Sequence, residues 1–331
     1  MYKCSLISGI GSYGMIRLDP SASGLLPRAA SQLVTSAVLR WQIASWPFRP
    51  HQRGWTGYHP AWCRAPLDRH QERRRPVRLH LAAAGSGTPV LLLHGWPQHW
   101  WCWRRVVKQL RDYRLLIPDL RGFGWSEAPG SGYSPTGFAD DAVALLDALD
   151  ITRAHVIGHD WGGFVGFLLG LHHSDIGCCC AIRRWPSAGM VCGAGRKPDP
   201  GPPGGGVSRL HPLVSAARWP GGIVSDADAA VYADQFRDRA RTAASSQLYR
   251  SYWRLAQAIL LRRAFEGQRL QAPTQVLFGA NDFYIPVAML EEIEAHGADL
   301  TLEVVEGCSH WMPEERPDLI TDRARALFGR Q

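Results

Sequence analysis

Val156-Ile157-Gly158-His159-Asp160-Trp161-Gly162-Gly163 is the stretch on which the reading of this 331-residue chain turns. His155–Gly158 has the composition of a buried strand, and Trp161–Leu171 that of an apolar helix with glycines at 162, 163, 166 and 170. So little chain between them demands a sharp, strained turn. Gly158, Gly162 and Gly163 let strand and helix approach without Cβ clashes. The pattern small-x-acid-x-small-small then presents Asp160 at the start of a helix, whose first N–H groups point at its oxygens. Taken alone, G-x-D-x-G is equally the sequence of a simple helix cap. The surroundings have to decide between the two.

Upstream, Val77–Ala82 alternates as a strand, and Thr88–His94 is an apolar run bounded by Gly85, Gly87 and Gly95. Helical spacing follows over His99–Tyr113, and Arg114–Asp119 reads as a third strand, leading into a Gly-punctuated loop, Leu120–Pro129. Ser134–Leu149 is expected to be a helix, capped by Thr136, with Asp140 and Asp141 in its first turn. Strands alternating with helices in this way predict a parallel α/β sheet. Downstream, Asp226–Ala240 and Ala243–Arg263 read as two helices and Gln275–Gly279 as a strand. Val287–Ala295 reads as a helix, Leu302–Val305 as a strand and Pro317–Phe328 as a closing helix.

Two further residues fall at the ends of the late strands. Phe278-Gly-Ala-Asn-Asp282 leaves Asp282 at a C-terminal strand edge, and Val305-Glu-Gly-Cys-Ser-His310 does the same for His310. Nucleophile, acid and histidine in that order form a triad on a sheet of this kind. Leu93-His-Gly-Trp-Pro97 closes an early strand, where the turn supplies one oxyanion N–H from Trp96. The residue after the nucleophile, Trp161, supplies the other.

On these motifs the chain resembles the α/β-hydrolase superfamily and, within it, the epoxide hydrolases and haloalkane dehalogenases. The matching residues are HGWPQ at 94–98, PDLRGFGWS at 118–126, GHDWGG at 158–163, GAND at 279–282 and GCSH at 307–310. The resemblance spans roughly 77–175 and 225–331. It implies an eight-stranded, mostly parallel sheet with helices on both faces and an inserted, partly atypical helical lid. It also implies Asp160 as nucleophile, His310 as base, Asp282 as its orienting acid, and neither metal nor organic cofactor. A carboxylate suits displacement at an sp3 carbon and gives an alkyl ester on Asp160, which water activated by His310 then hydrolyses. HGWP looks more like the epoxide hydrolases, where the departing oxygen needs an acid. Gln247-Leu-Tyr-Arg250 matches the second of two lid tyrosines and nominates Tyr249, which a half-buried packing role would also explain. No tyrosine lies between Tyr133 and Tyr232 to match the first. The alternatives are a dehalogenase, with halide held by the Trp161 indole, or an inactive protein with a defective lid.

The composition limits the rest. The formal charge is +8, but residues 1–76 hold 11 Lys+Arg against 3 Asp+Glu and the remainder is balanced at 26 against 26. A nucleic-acid binder carries its basic face on the folded body, so that class is excluded. No apolar run reaches the ~18 residues of a membrane span. The eight cysteines include no C-x-x-C pair, which fits reduced thiols in a cytoplasmic protein. Arginine outnumbers lysine 34 to 3, as in GC-rich, bacterial coding sequence. Residues 1–76 form an atypical N-terminal extension, expected to be poorly ordered, that fits either a presequence or out-of-frame translation. The core is assigned to 77–175 and 265–331 and the lid to 176–264. Within the lid, 177–222 contains 10 Gly and 7 Pro in 46 residues, which suggests a mobile loop or a second frame error. The expected partner is a small-molecule substrate, an epoxide or haloalkane, and a homodimer is an allowed assembly.

Overall fold

The computed structural model describes residues 77–173, 179–182, 222–262, 267–290 and 292–329, four isolated positions between them, and three strand segments before residue 77. Most of 1–76 and of 177–222, and with them the expectations of irregular chain there, lie outside the described residues.

One sheet organises the molecule. Its strands are β1 (His59–Arg64), β2 (Arg78–Ala84), β3 (Pro89–Leu93), β4 (Arg114–Pro118), β5 (His155–His159), β6 (Cys179–Ile182), β7 (Thr274–Gly279) and β8 (Leu300–Val305). The spatial order is β8-β7-β6-β5-β3-β4-β2-β1. β2 runs antiparallel to both β1 and β4, and every other pairing is parallel. The mostly parallel eight-stranded sheet expected from the sequence is therefore present.

Strand alternation builds two cores. Leu91, Leu93, Leu116, Val156, Val276 and Phe278 point to one face, and Val90, Leu92, Leu115, Ile117, Ile157 and Leu277 to the other. The near-continuous apolar runs are what a parallel strand covered on both faces requires. The first face is covered by α2 (Pro135–Ala148) and α3 (Trp161–His172), which follow a short α1 (Arg104–Val107). Two helices, α4 (Asp226–Asp234) and α5 (Arg239–Arg262), lie between β6 and β7 in sequence. The short α6 (Met312–Glu315) and α7 (Pro317–Phe328) close the chain, and α7 buries Leu319, Ile320, Ala324, Leu327 and Phe328 in the second core. Among the described residues no helix is long and apolar enough to cross a membrane.

Several local expectations are corrected. The cap of α2 is Ser134, not Thr136: its hydroxyl accepts the Gly137 N–H at 3.0 Å. Pro135, with φ already helical and no N–H to satisfy, fits the first helical position and starts the helix there. Asp140 and Asp141 thus sit beyond the first turn, and Asp141 pairs with Arg121 across the fold. His99–Tyr113 contains a 3-10 turn at Trp100–Trp103 followed only by α1, and Val287–Ala295 contains two 3-10 turns, Val287–Leu290 and Ile293–His296. The sheet also takes β1 from the extension and β6 from the Gly/Pro/Cys-rich stretch, because hydrogen-bonding edges on neighbouring strands can recruit segments with little strand signal of their own.

Candidate active site

β5 ends at His159 and α3 begins at Trp161, leaving Asp160 alone to make the turn. It does so at φ 52° and ψ −117°, a conformation that costs a non-glycine residue on the order of 1–3 kcal/mol and persists where the surroundings over-determine it. Here they do. A Cβ on Gly162 would lie 2.1 Å from the Leu93 carbonyl oxygen, so only glycine lets α3 approach the end of β3. A Cβ on Gly95 would lie 2.2 Å from the Asp160 Cβ, so the turn after β3 is pressed directly against the acid.

That turn brings the Trp96 backbone N–H to Asp160 Oδ1 at 3.1 Å. The other oxygen, Oδ2, lies 3.4 Å from His310 Nε2. His310 Nδ1 is 2.8 Å from Asp282 Oδ2. Asp160 and His310 are both buried. Burial works against the imidazolium, but hydrogen bonds and charge from Asp160 and Asp282 outweigh it and push the His310 pKa up to about 9. The three residues named from the sequence as nucleophile, base and acid thus form one connected line. The Trp161 N–H belongs to the first turn of α3, immediately beside Asp160.

Tyr249, on α5, lies over both tryptophans, with ring centroids 5.6 Å from Trp96 and 5.5 Å from Trp161, each edge to face. Ser245, one turn earlier, accepts the Trp96 indole N–H at 3.0 Å. α5 is therefore fixed to the same turn that contacts Asp160. Gln235 adds a second tie. Its amide donates to the Pro97 carbonyl at 2.7 Å and accepts the Gly124 N–H at 2.9 Å.

Sequence reasoning passed over three contributors. His94 accepts the Leu120 N–H on Nε2 at 2.9 Å, so its proton is on Nδ1, which donates to the Gly95 carbonyl at 2.9 Å. Burial holds its pKa below the usual value and keeps this neutral brace intact. Asp119 is the second, gathering His80 Nδ1 at 2.8 Å and the N–H groups of Trp100 and Trp125 at 2.8 and 2.9 Å. Both lie inside motifs quoted above, which was the available signal. The third is Tyr284, two residues after Asp282. Its ring stands edge to face against His310 at 4.8 Å, and its phenol is pushed up to about 12 by burial and by the Asp160 and Asp282 charges.

A family model described as "Alpha/beta hydrolase family" matches residues 90–323. The chain is similar to the soluble epoxide hydrolase of Corynebacterium sp. (strain C12), at 30% identity over 284 residues covering 79% of this chain and 97% of that protein. In structure it resembles the epoxide hydrolase CorEH (TM-score 0.60, 24% identity, 82% and 99% of the two chains). It also resembles the epoxide hydrolase VrEH1 of Vigna radiata (TM-score 0.59, 24% identity, 77% and 96%). The structural likenesses establish the fold. With the family model and the full-length relative, they make this chain a member of the alpha/beta hydrolase family and an epoxide hydrolase-like enzyme within it.

Proposed function

We propose that the chain hydrolyses epoxides to diols through an alkyl ester on Asp160. The observation that carries this reading is the line of contacts from the Trp96 N–H through Asp160 and His310 to Asp282.

The division of labour follows from which oxygen is held. Oδ1 is bound by the Trp96 N–H, so Oδ2 is the attacking atom. As Oδ2 bonds to the epoxide carbon, the C–O bond breaks and its electron pair goes to the departing oxygen. That oxygen takes a proton from the Tyr249 hydroxyl. His310 begins the cycle protonated. Esterification removes the Asp160 charge that favoured the imidazolium, so His310 gives up its proton, which restores the Tyr249 phenol through solvent.

Neutral His310 then takes a proton from water as the water oxygen bonds to the Asp160 carbonyl carbon. The charge that develops on Oδ1 meets the N–H groups of Trp96 and Trp161, each worth about 2.7–4 kcal/mol of barrier. Collapse breaks the bond from that carbon to Oδ2, which leaves in the diol with a proton from His310. The new acid on Asp160 returns its proton to the imidazole. The sum is epoxide plus water giving diol, with the enzyme restored.

The test is to expose a His310→Gln variant to styrene oxide and weigh the peptide that contains Asp160. An adduct of substrate mass supports the reading, and an unmodified peptide overturns it. Halide release from a brominated alkane by the parent, without turnover of any epoxide, would transfer the same covalent chemistry to the dehalogenase reading.

A further inference from the structure

Glu314 is a fully buried carboxylate just downstream of His310. Arg104 Nη1 donates to its Oε1 at 2.6 Å, and the Tyr232 hydroxyl donates to the same oxygen. Arg104 is itself buried, and its Nη2 reaches Asp228 Oδ2 at 2.8 Å. The other oxygen of Asp228 accepts the Trp101 indole N–H at 2.8 Å. Arg105 donates to the Glu314 backbone carbonyl at 2.6 Å. Burial and the Glu314 charge hold the Tyr232 phenol well above its usual pKa, so it stays a donor. None of these groups takes part in the proton transfers proposed above.

A buried ion pair is a poor way to gain stability, because desolvation offsets most of its attraction and apolar side chains of similar volume often do as well. What it supplies here is register. Its members come from three separate elements: Arg104 opens α1, Asp228 and Tyr232 lie on α4, and Glu314 lies on α6. α6 is a single short turn, too little helix to hold a position by its own hydrogen bonds. Its place is set by what Glu314 grips.

That place matters to His310, whose imidazole lies 3.4 Å from Asp160 and 2.8 Å from Asp282. Glu315, next on α6, accepts the Ser309 N–H on Oε2 at 2.8 Å, and its other oxygen accepts the Ser309 hydroxyl. α6 therefore carries with it the residue that precedes His310. His159 Nε2 holds the His310 carbonyl at 2.8 Å, so a displaced α6 tilts the histidine about that point rather than freeing it. We infer that Glu314 is a positioning residue for His310, and that Tyr232 and Arg104 act through it to aim the imidazole at the ester. This rests on the ester mechanism proposed above. Displacement at the epoxide does not use the imidazole as a base, so the effect falls on the hydrolytic half of the cycle.

The experiment follows the ester by rapid quench of the full chain with styrene oxide, weighing the Asp160 peptide over time. Tyr232→Phe keeps the ring contacts to His99 and Trp219, at 5.4 and 5.7 Å. In this variant the ester should form at the parental rate and break down about tenfold more slowly. In Glu314→Ala breakdown should slow by up to about 10²-fold, the scale expected when a reacting group moves by ~1 Å. Glu314→Gln, which can still accept from Arg104 and Tyr232, should restore most of the rate. A merely structural role lowers the amplitudes of both phases and leaves the ratio of the two rates unchanged. Rates that fall together, or that both stay parental in Tyr232→Phe, overturn the inference. If Glu314→Ala does not fold, Tyr232→Phe still decides it. If the parent forms no ester, the catalytic reading falls, and NMR titration of the His310 imidazole decides the positioning role. Burial lowers that pKa and Asp160 and Asp282 raise it, to about 9 in the parent. It should fall in Tyr232→Phe and Glu314→Ala as the carboxylates become more distant, and an unchanged value overturns the inference.

Discussion

The backbone N–H of Trp96 donates to Oδ1 of Asp160 at 3.1 Å, joining residues 64 apart in sequence at the ends of two adjacent parallel strands. In the proposed mechanism this contact determines which carboxylate oxygen is withheld from the substrate. It exists because Gly95 has no side chain.

Gly95→Ala tests that dependence. Its Cβ cannot occupy the space 2.2 Å from the Asp160 Cβ, so the turn must move and take the Trp96 N–H with it. The expected result is a fall in kcat of about 10²–10³-fold, the usual effect of losing one such donor. The far-UV circular dichroism should be retained. A kcat close to the parent's counts against the assigned oxyanion contact.

The raised pKa of His310 has a consequence for stability. Its value is about 9 in the folded chain against 6.5 for the free side chain, so the contribution is complete below pH ~6.5 and is lost as pH rises through about 9. A shift of this size corresponds to about 3 kcal/mol. Urea denaturation of the parent should therefore show stability declining between pH 6.5 and 9.5 more steeply than in His310→Gln. Parallel pH profiles for the two proteins contradict the charged Asp160–His310–Asp282 line in the resting enzyme.

The sheet was legible in sequence where a strand carries its own signal. Leu91–Leu93 and Val156–Ile157 are apolar at every position because both faces of the sheet are covered, and Asp160 follows a strand of that kind, whereas His310 follows the edge strand Leu300–Val305, where Thr301 and Glu303 interrupt the apolar run. The strand Cys179–Ile182 was not legible. Four residues beside a Gly/Pro-rich stretch carry little period, and the partners on both sides supply what the local sequence lacks. Ser134-Pro-Thr136 offers two hydroxyls near the helix start, and Pro135 decides for Ser134 by taking the first helical position. His94, Asp119 and Tyr284 act through contacts that close only in three dimensions.

Tyr249 rests on Trp96 and Trp161, within the frame that holds Asp160. Tyr249→Phe removes the hydroxyl and keeps both ring contacts. Single-turnover alkylation by styrene oxide should slow by about 10²–10⁴-fold, the range of general-acid assistance, with the melting temperature little changed. Alkylation at the parental rate removes Tyr249 from the proton path.

The most direct test of the account is the fate of oxygen in one turnover. With enzyme in excess over epoxide in water enriched in oxygen-18, the account predicts label in the carboxyl group of Asp160 and an unlabelled diol. The oxygen that leaves with the product is the carboxylate's own, and solvent oxygen replaces it. A first-turnover diol carrying the label, with Asp160 unlabelled, means that water attacked the epoxide itself and contradicts the ester on Asp160.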